Sequence, residues 1–112
     1  NLFLLDGNTS LLENMVAINL LRKYGRNDAI YFYNQNIEVD FYIPDDYTAI
    51  QVCYNLDNNE GTFDREVKAL LKITEVLECR HLLIITRDTE QTIEMNGKTI
   101  EVVPIWKWLL SL

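Results

Sequence analysis

Residues 81–86, His-Leu-Leu-Ile-Ile-Thr, restrict what this chain can become more than any other segment. Four consecutive large aliphatic residues cannot alternate between core and water, so a strand built from them must be buried on both faces. The run directly follows a helical pattern, and a strand entered from a helix is expected as a parallel member of its sheet. Helices must then cover both sides of that sheet. The chain can supply them: 112 residues at 48% apolar composition suit one globular domain with a real core.

The flanking patterns fill in the layers. Ser10-Leu11-Leu12-Glu13 reads as a capping box, with the Ser10 hydroxyl accepting the amide of residue 13 and Glu13 reaching back. Leu11, Leu12, Met15, Val16, Ile18, Leu20 and Leu21 predict a broad buried stripe, and Gly25 a left-handed helix end after Tyr24. Three short strands follow, at Ile30 to Tyr33, Ile37 to Ile43 and Ala49 to Tyr54. Asn34-Gln35-Asn36 and Pro44-Asp45-Asp46 supply turns, so an antiparallel meander is expected, with Ile37, Val39, Phe41 and Ile43 on one apolar face. After a polar loop, Leu56 to Gly61, Thr62 is expected to cap a second helix with Asp64 and Glu66 in its first turn. Phe63, Val67, Leu70, Leu71, Thr74 and Leu77 share its inner face. Asn96-Gly97 marks a hairpin between Thr92 to Met95 and Lys98 to Val103, whose second arm is a candidate parallel neighbour of the buried strand. Pro104 opens a terminal helix through Leu110, expected to cover a sheet edge, with Trp106 and Trp108 on opposite sides. The fold class is a mixed α/β sandwich.

Charge and cysteine usage exclude several functions. Seventeen acidic against ten basic residues leave a net charge of −7, so phosphate backbones meet no general attraction. Nucleic-acid binding would need a local basic patch, and the sequence holds no dense Lys/Arg cluster. Cys53, Cys79 and the lone His81 lack metal-ligand spacing, which argues against zinc and a His-based triad. One disulfide is conceivable, but two thiols in apolar contexts favour the reduced state and the cytosol. Leu2 to Leu5 is too short for a membrane span and lacks a signal peptide's basic flank. The missing initial Met suggests a fragment of a longer protein. No G-x-x-x-x-G-K-[ST] occurs, so any ATP site lies upstream.

Chemistry concentrates in two neighbouring strands. Alternation puts Glu38 and Asp40 on one face of the first, and Gln51 and Cys53 together on one face of the next. A carboxylate on one strand followed by acid-x-Lys on the next is how metal-dependent nucleases hold a divalent ion and a phosphate. Here the second half reads Gln-x-Cys. Plainer readings stand beside this one: Glu13 as a capping residue, Asp40 on a solvated face, Gln51 and Cys53 as ordinary strand residues. Tyr31, Tyr33, Tyr42 and Tyr54 read either as sheet packing or as a stacking platform for single strands.

The order αβββαβ, with Glu38 and Asp40 on the second strand and Gln51 on the third, resembles the restriction-endonuclease-like fold of the PD-(D/E)XK superfamily. More closely, Leu12 to Val16, Glu38 to Phe41, Ile50 to Tyr54 and Arg65-Glu66 look like the C-terminal domain of a family of prokaryotic AAA-type P-loop ATPases. The resemblance implies a single nuclease-like domain over residues 1–112, with the ATPase core upstream. It implies Asp40 and Glu13 as Mg²⁺ ligands, Gln51 at the second acid position, and Cys53 where the family has Lys. Losing a group that stabilises charge on the scissile phosphate typically costs ~10²–10³ in rate. The implied function is therefore a degenerate nuclease-like module, binding or regulatory. Alternatives are a weak metal-dependent DNA endonuclease rescued by Lys68 or Lys72, or a structural domain that docks the ATPase core. Implied partners are that core, DNA and further copies of the chain, without a membrane, in the cytoplasm.

Overall fold

The computed structural model describes residues 7–25, 31–34, 36–54 and 61–112. In chain order these form α1 (Gly7–Tyr24), β1 (Tyr31–Asn34), β2 (Glu38–Ile43), a 3-10 turn (Pro44–Asp46), β3 (Thr48–Val52), α2 (Thr62–Ile73), β4 (His81–Thr86), β5 (Gln91–Met95), β6 (Lys98–Pro104) and α3 (Ile105–Ser111). The expected polar loop from Leu56, up to residue 60, and the opening Leu2 to Leu5 lie outside the described residues.

One six-stranded mixed sheet runs in the order β1-β2-β3-β4-β6-β5. The first three strands are the expected antiparallel meander. β4 pairs parallel with both β3 and β6, as its two-sided apolar run demands. The Asn96-Gly97 hairpin joins β5 to β6, with both turn residues at positive φ (54° and 74°), the backbone a tight two-residue connection needs. A mixed sheet flanked by helices, in roughly αβββαβ order, is thus the architecture.

Each face of the sheet carries its own core. On one, Val67, Leu70 and Ile73 of α2 pack on Val39, Tyr42, Ala49, Leu82, Ile84, Ile100 and Val102. On the other, Leu12, Val16 and Leu20 of α1 join Trp108 of α3 over Phe41, Ile43, Ile50, Val52 and Ile85. The terminal helix therefore covers a face beside α1, and not the expected edge. β5 is left as a largely exposed edge strand.

Several local expectations are corrected. α1 begins at Gly7, so Ser10 lies inside the helix and is not its cap. Only Leu12, Val16 and Leu20 of the expected stripe are buried; Leu11 (64% exposed), Met15, Ile18 and Leu21 face outward. Gly61, at φ 81°, takes the N-cap position expected of Thr62, and only Asp64 is in the first turn of α2. In β2, Tyr33 pairs with Val39 but Tyr31 with Tyr42, so two steps on β1 match three on β2. The extra residue is a β-bulge at Asp40-Phe41. It breaks the expected alternation: Val39 packs with the α2 core, whereas Phe41 and Ile43 join the α1 core. Tyr42 is buried with the α2 core, so it is not part of an exposed stacking surface.

Candidate functional site

β2 and β3 pair only from Phe41↔Ile50 to Ile43↔Thr48, while β3 follows β4 as far as Val52↔Ile85. Beyond Phe41 the two strands fork, and backbone groups facing the gap lose their ladder partners. Two side chains replace them. The Gln51 amide oxygen accepts from Asp40 N at 3.0 Å, and its nitrogen donates to the Glu38 carbonyl at 3.0 Å and the Glu66 carbonyl at 3.5 Å. Asp40 Oδ2 accepts from Val52 N at 2.7 Å. Gln51 is only 3% exposed, so these bonds are what makes its burial affordable.

Asp40 also shares a side-chain hydrogen bond with Glu13 of α1. Ser10 being well inside the helix, Glu13 is no capping residue, and its carboxyl points instead at the fork. Burial raises the Asp40 pKa, against the opposing pull of the Val52 amide and the Glu13 bond; nearby Glu38 pushes the same way as burial. A carboxyl-to-carboxyl hydrogen bond requires one shared proton, and burial favours keeping it.

A third carboxyl completes the cluster. Glu66 of α2 has its pKa raised to about 8, first by burial, then by the negative charges of Asp40 and Glu13, while a bond with Cys53 and the Arg65 charge oppose the shift. Its Oε1 is buried without a hydrogen-bond partner. Sequence reasoning placed Glu66 at the helix dipole and, with Arg65, within the family resemblance, but did not count it among the carboxyls of the site. The signal was there: Glu66 stands three residues after Phe63 and four before Leu70, on the inward face of α2.

Cys53, at the position where a cation was sought, is 4% exposed and lies in the α2 core. Its thiol meets Glu66. Both cysteines are free. Lys68 and Lys72 do approach the fork: with Arg65, Glu38, Asp40, Gln51 and Glu66 they line an open groove of ≈ 430 Å³.

The donor set suits Mg²⁺ poorly as it stands. Gln51 Oε1 and Asp40 Oδ2 are engaged by backbone amides, and Glu13 is engaged by Asp40. Among the described residues, no group of three or more His, Cys, Asp or Glu side chains is placed to hold a metal ion. The arrangement is a proton-holding carboxyl cluster that ties α1, the strand fork and α2 together.

Comparison with known proteins adds a relative but no activity. Over 110 residues the chain is 37% identical to Uncharacterized protein MJ1544 of Methanocaldococcus jannaschii, an alignment covering 90% of this chain and 24% of that protein. The chain spans about a quarter of the length of the curated relative it matches. No family model matches it. No solved structure matches it. No helix among the described residues is long and apolar enough to cross a membrane.

Proposed function

We propose that this domain is a degenerate restriction-endonuclease-like module of the PD-(D/E)XK kind, attached to an AAA-type ATPase in the cytoplasm, that binds or regulates without cutting DNA. The element order and the meeting of Glu13, Asp40 and Gln51 at one fork support the kinship. The observation that carries the loss of cleavage is the fate of Gln51 and Cys53. At the second acid position, both ends of the Gln51 amide are committed to backbone groups. At the cation position stands a buried thiol facing a carboxyl. Such a pair offers a phosphate neither a metal-bridging oxygen nor a positive charge.

The competing reading, a weak metal-dependent endonuclease, draws on Lys68 and Lys72, which line the same groove as Asp40 and Gln51. Incubating the chain with branched, single-stranded and duplex DNA in Mg²⁺ or Mn²⁺ separates the two. No cleavage is expected. Metal-dependent cutting that disappears in Asp40→Asn would overturn the proposal in favour of the nuclease. A docking role within a longer protein draws on the outward apolar residues Leu11, Met15 and Ile18 of α1 and Trp106 and Leu110 of α3.

A further inference from the structure

Although the chain is strongly acidic, its fold gathers four of its ten cations along one surface. Arg65, Lys68 and Lys72 stand at i, i+3 and i+7 of α2, all exposed, and so share one outer face of that helix. The groove at the strand fork is lined by all three; a second, of ≈ 450 Å³, is lined by Lys68, Lys72 and Lys98 beside the Asn96 turn. Lys68 and Lys72 are common to both, so the two grooves run into one another past the helix. Neither lysine is in an ion pair among the described residues.

Unpaired like charges at helical i, i+4 spacing destabilise a helix by about 0.2–0.5 kcal/mol. An anion lying across them would remove that cost. The exposed acids in the grooves are Glu38 and Glu75, fewer than the four cations. Asp40 and Glu66 add less negative charge than their number implies, because burial favours their protonated forms. A step of ~6 Å along the helix from Lys68 to Lys72 suits successive anionic groups on a chain better than one compact ion.

We propose that Arg65, Lys68, Lys72 and Lys98 form a track for the phosphate backbone of a nucleic acid, passing the strand fork and the β5–β6 turn. This rests on the reading of the domain as a binding module and names its ligand class. It requires no base-specific contact, so affinity is set by counterion release. With four phosphates neutralised, log K against log salt should fall with a slope of ~−2.8 for a single strand and ~−3.6 for a duplex. Between about 50 and 200 mM salt that is a loss of roughly 50- to 150-fold.

The test is fluorescence anisotropy of a labelled DNA single strand and duplex with the 112-residue chain, over that salt range. Lys68→Ala/Lys72→Ala should weaken binding at least about tenfold and flatten the slope by ~1.4 to 1.8. Lys68→Arg/Lys72→Arg should restore both, and Lys107→Ala, whose ammonium pairs with Glu90, should change neither. Absence of binding at low salt would overturn the proposal. So would an unchanged affinity in the double alanine variant with native circular dichroism, or equally tight binding of poly-glutamate, which would point to an acidic protein partner. The cleavage assay reads Asp40 and this one reads the lysines, so either idea can fail without the other.

Discussion

Glu66→Gln isolates the energetic consequence of burying a carboxyl whose Oε1 has no hydrogen-bond partner. The fold holds the Glu66 proton up to about pH 8, against an ordinary value of 4.5. At about 1.4 kcal/mol per unit, that difference corresponds to about 5 kcal/mol. Because the folded state binds this proton more tightly than the unfolded chain, folding takes one up between those two values. The stability contributed by the protonated carboxyl is complete below 4.5, declines as pH rises, and is gone once pH passes 8. Urea denaturation at constant ionic strength, from about pH 5 to about pH 9, should show wild-type stability falling by up to ~1.4 kcal/mol per pH unit from this group. Asp40, whose pKa is also raised, adds a decline of the same sign that both chains share. In Glu66→Gln the neutral amide cannot ionise, so the decline should lose one proton's worth of slope, and the variant should be the more stable chain at pH 8 and above. Burying the amide without full hydrogen bonding costs about 1–3 kcal/mol, so at pH 5 the variant should be the weaker. Parallel curves for the two chains across this window would refute the account of Glu66 as a buried, proton-holding group.

Gln51→Leu leaves Asp40 N and the Glu38 carbonyl without their side-chain partner and should cost about 2–4 kcal/mol in denaturant midpoint experiments. Gln51→Glu should be destabilising as well, and more at pH 8 than at pH 5, because it adds a fourth carboxyl to Glu13, Asp40 and Glu66; equal stability to wild type at pH 8 would contradict this. Trp108→Ala should cost about 3–5 kcal/mol by opening the contact between α1, α3 and the sheet, whereas Trp106→Ala should stay within about 0.5 kcal/mol, its side chain being 57% exposed.

The parts of the fold that were legible in the sequence are those that local chemistry dictates. β4 had no polar face to offer water, and Asn96-Gly97 had the one backbone preference its turn requires. The meander followed from turn residues at two points. What escaped was decided between elements. Apolar residues occupy more of the α1 circumference than one core can cover, so only packing against the sheet selects Leu12, Val16 and Leu20 over Leu11, Met15 and Ile18. The bulge at Asp40 is a property of register with β1, which nothing within β2 announces. The site was half visible: Glu13, Asp40 and Gln51 were found and do meet, yet their mutual hydrogen bonds depend on a strand fork. Glu66 escaped because a helix N-terminal region already offers an acidic residue a sufficient reason to be there. The basic surface escaped because its members are spread from residue 65 to residue 98 and only folding makes them neighbours.

The supernumerary residue in β2 is spare to the packing. Val39 and Ile43 lie in cores on opposite faces of the sheet, although a regular strand puts residues four apart on the same face. Losing codon 40 would leave them three apart, the odd spacing that opposite faces need, so both ends could keep their oily neighbours. What would go is the carboxyl that meets Glu13 and the Val52 amide. The strand is one residue longer than its cores require, and that residue serves the fork.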